Sequence, residues 1–223
     1  MNLLGTLLVL TLTPFAHAET PTWSAIQSGG WVHHATRKHD VVGKVEVYAK
    51  TVAGVECFQG VTTTTYTPEQ LLEVAADIEG AMRWSTAGVT EAATLKRTDT
   101  LLDYFQYLDV PGWTMANDRF WFLRGHIVRG DGAITFHWDR LVDGGPYAAR
   151  YQQVIADHPD AVDIPMNVGG WVFTPVDGST RIQYLICTNT GGSIPTAVQS
   201  VATTRTLPDN LGDIVREAAK RNP

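Results

Sequence analysis

The chain has 223 residues, 44% of them hydrophobic, and a formal net charge of −6. That length suits one ordinary domain or two small ones, with apolar residues ample for a core. The acidic balance gives no support to nucleic-acid binding through a basic surface.

Met1–Ala18 reads as a secretory signal peptide. Its apolar run, about a dozen residues, is too short to span a bilayer comfortably. It ends in Ala16-His17-Ala18, the small-x-small pattern of a cleavage site, although no Lys or Arg precedes the apolar run. The expected mature chain is therefore a single domain, Glu19–Pro223, in the periplasm or secreted. Export would place Cys57 and Cys187 where a disulfide can persist.

Thr20–Asp40 is mixed in character, with Trp23 and Trp31 as packing anchors. Lys44–Thr51 and Val55–Tyr66 read as strands, rich in Val, Thr and Tyr and parted by a glycine-containing turn. Thr67 before Pro68-Glu69 starts a helix, with a hydroxyl cap and proline in the first position. Leu71, Leu72, Val74, Ala75, Ile78 and Met82 keep helical spacing as far as Trp84. Four strands are predicted next, near Glu91–Thr98, Thr100–Asp109, Arg119–Arg129 and Ala133–Leu141, the last two joined by Gly130-Asp131-Gly132. Pro146–His158 reads as a short helix. Asp163–Pro175 and Thr180–Asn189 form a final hairpin about Asp177-Gly178, in which Ile182, Tyr184 and Ile186 share the core face.

The chain ends in a long helix, Ile194–Arg221, entered through Gly191-Gly192-Ser193. Ile194, Val198 and Val201 make one apolar run, and Leu211, Ile214, Val215 and Ala218 a second. Pro208 between them is expected to kink or break the helix. The fold class is thus α+β: a curved antiparallel sheet gripped by one long C-terminal helix, an arrangement suited to enclosing an apolar cavity.

Nucleophile elbow, phosphate-loop and His-Glu-x-x-His signatures are absent from the sequence. His33, His34 and His39 lack partners at zinc spacings and read as a surface cluster, so neither a metal nor a cofactor is expected. His126 and His137 fall on adjacent strands and could face each other.

Several stretches together resemble the lipid-transfer domains related to the steroidogenic acute regulatory protein, called START domains. They are Val45–Lys50, Pro68–Leu72 with Asp77 and Trp84, Leu102–Tyr104, Asp118-Arg119-Phe120, Gly170–Pro175, and Gly191-Gly192 with Ile194-Pro195. The likeness runs from Lys44 to Lys220. The chain departs from the pattern in reading Asp118-Arg119-Phe120 where the family has Arg-Asp-Phe. It also inserts Pro146–His158 and has Ile164-Pro165-Met166 where an arginine is usual. The resemblance implies a helix-grip fold and a monomeric, non-enzymatic protein holding a lipid or sterol, with transient membrane contact. Helix-grip folds also host cyclases and hydratases, and an interaction module with a filled core is a third reading. If the family topology holds, the strands carrying Cys57 and Cys187 are neighbours; a disulfide or two buried thiols both remain open.

Alternation groups Leu101, Asp103, Phe105 and Tyr107, and likewise Phe120, Phe122 and Arg124, on what is expected to be the inner face. Asp103 and Arg124 could then pair inside the cavity, unless a one-residue slip turns either to solvent. The resemblance implies the same, since Arg124 falls on the arginine of the family's acid–arginine pair, although the matching acid position is nearer Phe105. Phe136 and Trp138 are expected on the cavity wall with Tyr184 and Val198, and Trp121 outside it. Trp113 and Met115, in the loop Val110–Asn117, together with Ile194 are the expected lid.

Overall fold

A computed structural model describes residues 20–110, 116–191 and 196–223, and over 196–202 the backbone only. Helix α1 (Trp23–Gln27) precedes a meander of β1 (Val32–His39), β2 (Gly43–Val52) and β3 (Val55–Thr64). Two short helices, α2 (Pro68–Ala75) and α3 (Ala81–Trp84), lead into β4 (Val89–Arg97), β5 (Leu101–Leu108), β6 (Arg119–Gly130) and β7 (Ala133–Arg140). A 3₁₀ segment, Val142–Tyr147, and α4 (Ala148–Asp157) come next. Then follow β8 (Val162–Asp163), β9 (Met166–Val176), β10 (Ser179–Asn189) and α5 (Thr196–Arg221).

The strands form one sheet in the order β1-β2-β3-β10-β9-β7-β6-β5-β4, with antiparallel neighbours throughout; β8 adds a short parallel pairing to β6. Its tight turns follow from local chemistry. Asp131-Gly132 and Asp177-Gly178 both carry two successive positive φ angles, the backbone a two-residue hairpin turn requires. Thr67 caps α2 as its sequence predicts: its hydroxyl accepts from the Gln70 amide while the Gln70 side chain accepts from the Thr67 amide. Helix α5 lies across β1, β2, β3 and β10 and packs on α2, burying Leu207, Leu211, Ile214 and Ala218. Gly60 permits that approach, because a Cβ there would sit 2.9 Å from the Leu211 Cδ1. Buried Asp213 fixes the helix further, accepting from the Thr86 amide at 2.6 Å, the Thr86 hydroxyl at 2.7 Å and Arg216 at 2.6 Å.

Three expectations change. The helix from Pro68 stops at Ala75, because Asp77 Oδ1 accepts from the Gly80 amide and turns the chain before α3. Thr20–Asp40 contains α1 and an edge strand, β1, whose mostly exposed residues carry no alternation to read. Finally, α5 runs through Pro208 without a break: Leu207 and Leu211, both buried, anchor the turns on either side of it.

Cys57 and Cys187 face each other across β3 and β10 and form a disulfide, with their Cα atoms 4.4 Å apart. The bond lies on the outer face of the sheet, buried with Ile26 of α1, Met166, Val168 and Leu185.

Candidate functional site

A pocket of about 530 Å³ lies on the inner side of the sheet against α5, within the ~300–1,000 Å³ typical of small-ligand sites. Alternate residues of each strand reach it: Tyr104 and Gln106 from β5, Trp121 and Leu123 from β6, Phe136 and Trp138 from β7, Trp171 from β9, and Tyr184 and Ile186 from β10. Helix α5 contributes Leu207, and α2 and α3 close one side through Ala75, Ala81 and Trp84. The walls are mainly aromatic and aliphatic, and the rings touch one another. Tyr184 packs on Trp171 with centroids 4.3 Å apart, and Phe136 lies 5.9 Å from Trp138.

Polar groups on the wall mostly answer one another. Trp121 Nε1 donates to Gln106 Oε1 at 3.2 Å, and Trp138 Nε1 to Asn167 Oδ1 at 3.0 Å. Arg119, 5% exposed, donates through Nε to the Thr190 carbonyl at 2.9 Å and through Nη1 to the Asn117 and Asp118 carbonyls. It thereby ties the base of the β5–β6 loop to the end of β10, and burial lowers its pKa from the ordinary value. Asp77, at the far side, accepts from Arg221 at 2.6 Å. Trp84 Nε1 is buried without a hydrogen-bond partner among the described residues. Burial pushes the Tyr104 phenol well up, the nearby Tyr184 phenol adding to the effect, and burial raises Tyr184 likewise, so both stay protonated.

The structure divides the residues expected to line a cavity. Phe136, Trp138 and Tyr184 border the pocket. Asp103, Phe105, Phe120, Phe122 and Arg124 do not; they sit on the opposite, outer face. Phe105, Phe120 and Phe122 pack there with Tyr107 and with Tyr151 and Val154 of α4. The ring of Phe122 is 5.0 Å from Phe105 and 5.7 Å from Tyr151. Asp103 and Arg124 do meet, in register, by two 2.8 Å hydrogen bonds from Nε and Nη2, and the Tyr147 hydroxyl adds a third at 2.9 Å. Burial works to raise the Asp103 pKa, but these bonds outweigh it and hold the carboxyl below its ordinary value. The pair anchors the inserted segment to the sheet instead of facing the pocket. Trp121, expected outside, is on the wall. The cause is the insertion: α4 and the 3₁₀ segment cover the outer face of β5 and β6, so both faces of those strands are apolar. Trp113, Met115 and Ile194 fall outside the described residues, as does the side chain of Val198.

Sequence reasoning missed Tyr104, Gln106, Trp121, Leu123, Trp171 and Arg119 as pocket residues. The available signal was the inserted helix, whose Tyr151 and Val154 needed a sheet face to cover. Elsewhere on the outer face, His126 and His137 are directly paired and stack at 5.0 Å, and Trp23 stacks on His137 at 5.0 Å. Burial, helped by His126, lowers His137 to about 4. Among the described residues no group of three or more His, Cys, Asp or Glu side chains is placed to hold a metal ion.

No family model matches the chain, and no curated protein matches it in sequence. Solved structures do match. A STAR-related lipid transfer protein fragment from Xanthomonas axonopodis is 22% identical, with a TM-score of 0.68 over 86% of this chain and 99% of that one. Human STARD10 is 16% identical, with a TM-score of 0.69 over 91% of this chain and 81% of its own. The Zhui aromatase/cyclase from a Streptomyces species is 13% identical, with a TM-score of 0.53 over 75% of this chain and 95% of its own. The fold is therefore the helix-grip fold of START domains.

Proposed function

We propose that this protein binds one apolar lipid or sterol in the pocket beneath α5 and carries it through an aqueous compartment. The observation that carries the reading is the pocket itself, walled by Trp121, Phe136, Trp138, Trp171 and Leu207 and large enough for a single small ligand. The structural neighbour from Xanthomonas axonopodis named as a lipid transfer protein supports it by analogy of fold. Export is part of the proposal. Its support is the signal-like Met1–Ala18 segment, which would make Glu19–Pro223 the mature domain, together with the Cys57–Cys187 disulfide, a bond that persists in oxidising compartments. The mature protein is proposed to act as a monomer and to touch membranes transiently through Trp113 and Met115.

The cyclase likeness favours an enzyme as the second reading. It would need an acid–base pair facing the pocket. Of the ionisable wall groups, Asp77 is bonded to Arg221 and Arg119 to backbone carbonyls, and burial keeps the two tyrosines protonated.

Native mass spectrometry of the purified protein, before and after incubation with lipid vesicles, tests the carrier reading. The expected result is one lipid per chain, moving on to acceptor vesicles on mixing. A protein that takes up no lipid under any challenge would be a filled interaction module, and one that converts a bound substrate would be an enzyme.

A further inference from the structure

The pocket wall contains two hydroxyls that the protein does not use. Tyr104 is 3% exposed and Tyr184 is partly buried, both border the pocket, and neither phenol has a hydrogen-bond partner among the described residues. Buried polar groups are ordinarily paired, so unpaired ones ask for a partner not belonging to the chain. The indole N–H of Trp84, on the same wall, is buried and has no hydrogen-bond partner among the described residues. Each of these groups is neutral and can donate a hydrogen bond. Of the charged wall groups, Arg119 is bonded to backbone carbonyls and Asp77 to Arg221. At the phenols themselves only neutral groups are on offer, where a buried charge is costly, whereas an alcohol or ketone oxygen would satisfy them.

Building on the carrier reading, we infer that the ligand is an apolar molecule with one uncharged oxygen, an alcohol or ketone, seated on the hydroxyls of Tyr104 and Tyr184. Fatty-acid carboxylates and phosphate headgroups are excluded from that position. A sterol and a long-chain alcohol share this chemistry, and matched pairs separate them.

The test titrates the mature protein with cholesterol against cholestane, hexadecanol against hexadecane, and palmitate, all delivered on cyclodextrin. Binding is read from the fluorescence of the wall tryptophans. With one hydrogen bond worth about fivefold and two worth more, the alcohol of at least one pair is expected to bind at least about tenfold more tightly than its hydrocarbon. The pair that shows this identifies the source. In the Tyr104→Phe/Tyr184→Phe double variant, which keeps both rings, the preference for the alcohol over its hydrocarbon is expected to vanish. Equal binding of alcohol and hydrocarbon in the unaltered protein, a preference that survives the double substitution, or palmitate binding tightest would each overturn the inference while leaving the carrier reading intact. If no ligand binds at all, the carrier reading itself fails and takes the inference with it.

Discussion

The two faces of strands β5 and β6 are both apolar and yet do opposite work. On the outer face Phe105, Phe120 and Phe122, none more than 1% exposed, interlock with α4, and an ion pair clamps the edge of the cluster. On the inner face Tyr104, Trp121 and Leu123 border open volume. Close packing with satisfied polar groups makes a joint, and aromatic walls around unfilled space make a receptacle. Burial alone therefore does not identify a binding face; what stands opposite the side chain does.

Substitutions on the two faces sharpen the contrast. Phe122→Ala should be the most damaging, costing about 3–5 kcal/mol in chemical denaturation through the cavity it leaves under α4. Ligand affinity of the folded fraction should be unchanged, and a large loss of affinity would break the distinction. Asp103→Ala should cost about 2–3 kcal/mol by removing the acceptor of three hydrogen bonds, two of them from Arg124, whose side chain is about a third exposed. Because the folded pKa of Asp103 is depressed, its contribution is complete above the ordinary carboxylate value of about 4 and drains as pH falls below it. Denaturation curves of this variant and the parent should therefore converge under acid.

His137 gives a smaller effect at a higher pH. Its folded value of about 4 lies below the ordinary 6.5, so the unfolded chain binds the extra proton and stability falls as pH drops from 6.5 towards 4. His137→Gln should flatten that slope, an effect of roughly 2 kcal/mol across the window after allowance for partial exposure. Trp121→Leu should cost the least stability, about 1 kcal/mol, because the ring borders space instead of filling a joint. It should nevertheless weaken apolar ligand binding by about five- to tenfold. Unchanged binding at matched stability would remove Trp121 from the receptacle.

Much of the architecture was legible in the residues. Asp131-Gly132 and Asp177-Gly178 mark their turns, Thr67 marks a helix start, and the spacing of Leu211, Ile214, Val215 and Ala218 marks the buried stripe of α5. The pairing of Asp103 with Arg124 was also readable, since consecutive antiparallel strands bring them into register. The face they occupy was not. Alternation separates inner from outer only when one face is wet, and in β5 four successive residues, Leu102 to Phe105, are all buried. The segment Pro146–His158 held the missing information, for a helix carrying Tyr151 and Val154 must cover a sheet face, and it covers the outer face of β5 and β6. Edge strand β1 escaped for the reverse reason, being mostly exposed on both sides.

The central claim is that the ligand sits on the inner face alone. Photo-crosslinking with a diazirine-bearing sterol or lipid, followed by residue-level mapping of the adducts by mass spectrometry, tests it most directly. The account predicts adducts on inner-wall residues such as Tyr104, Trp121, Trp138, Trp171 and Tyr184. Adducts concentrated on Phe105, Phe120, Phe122 or Tyr151 would contradict it.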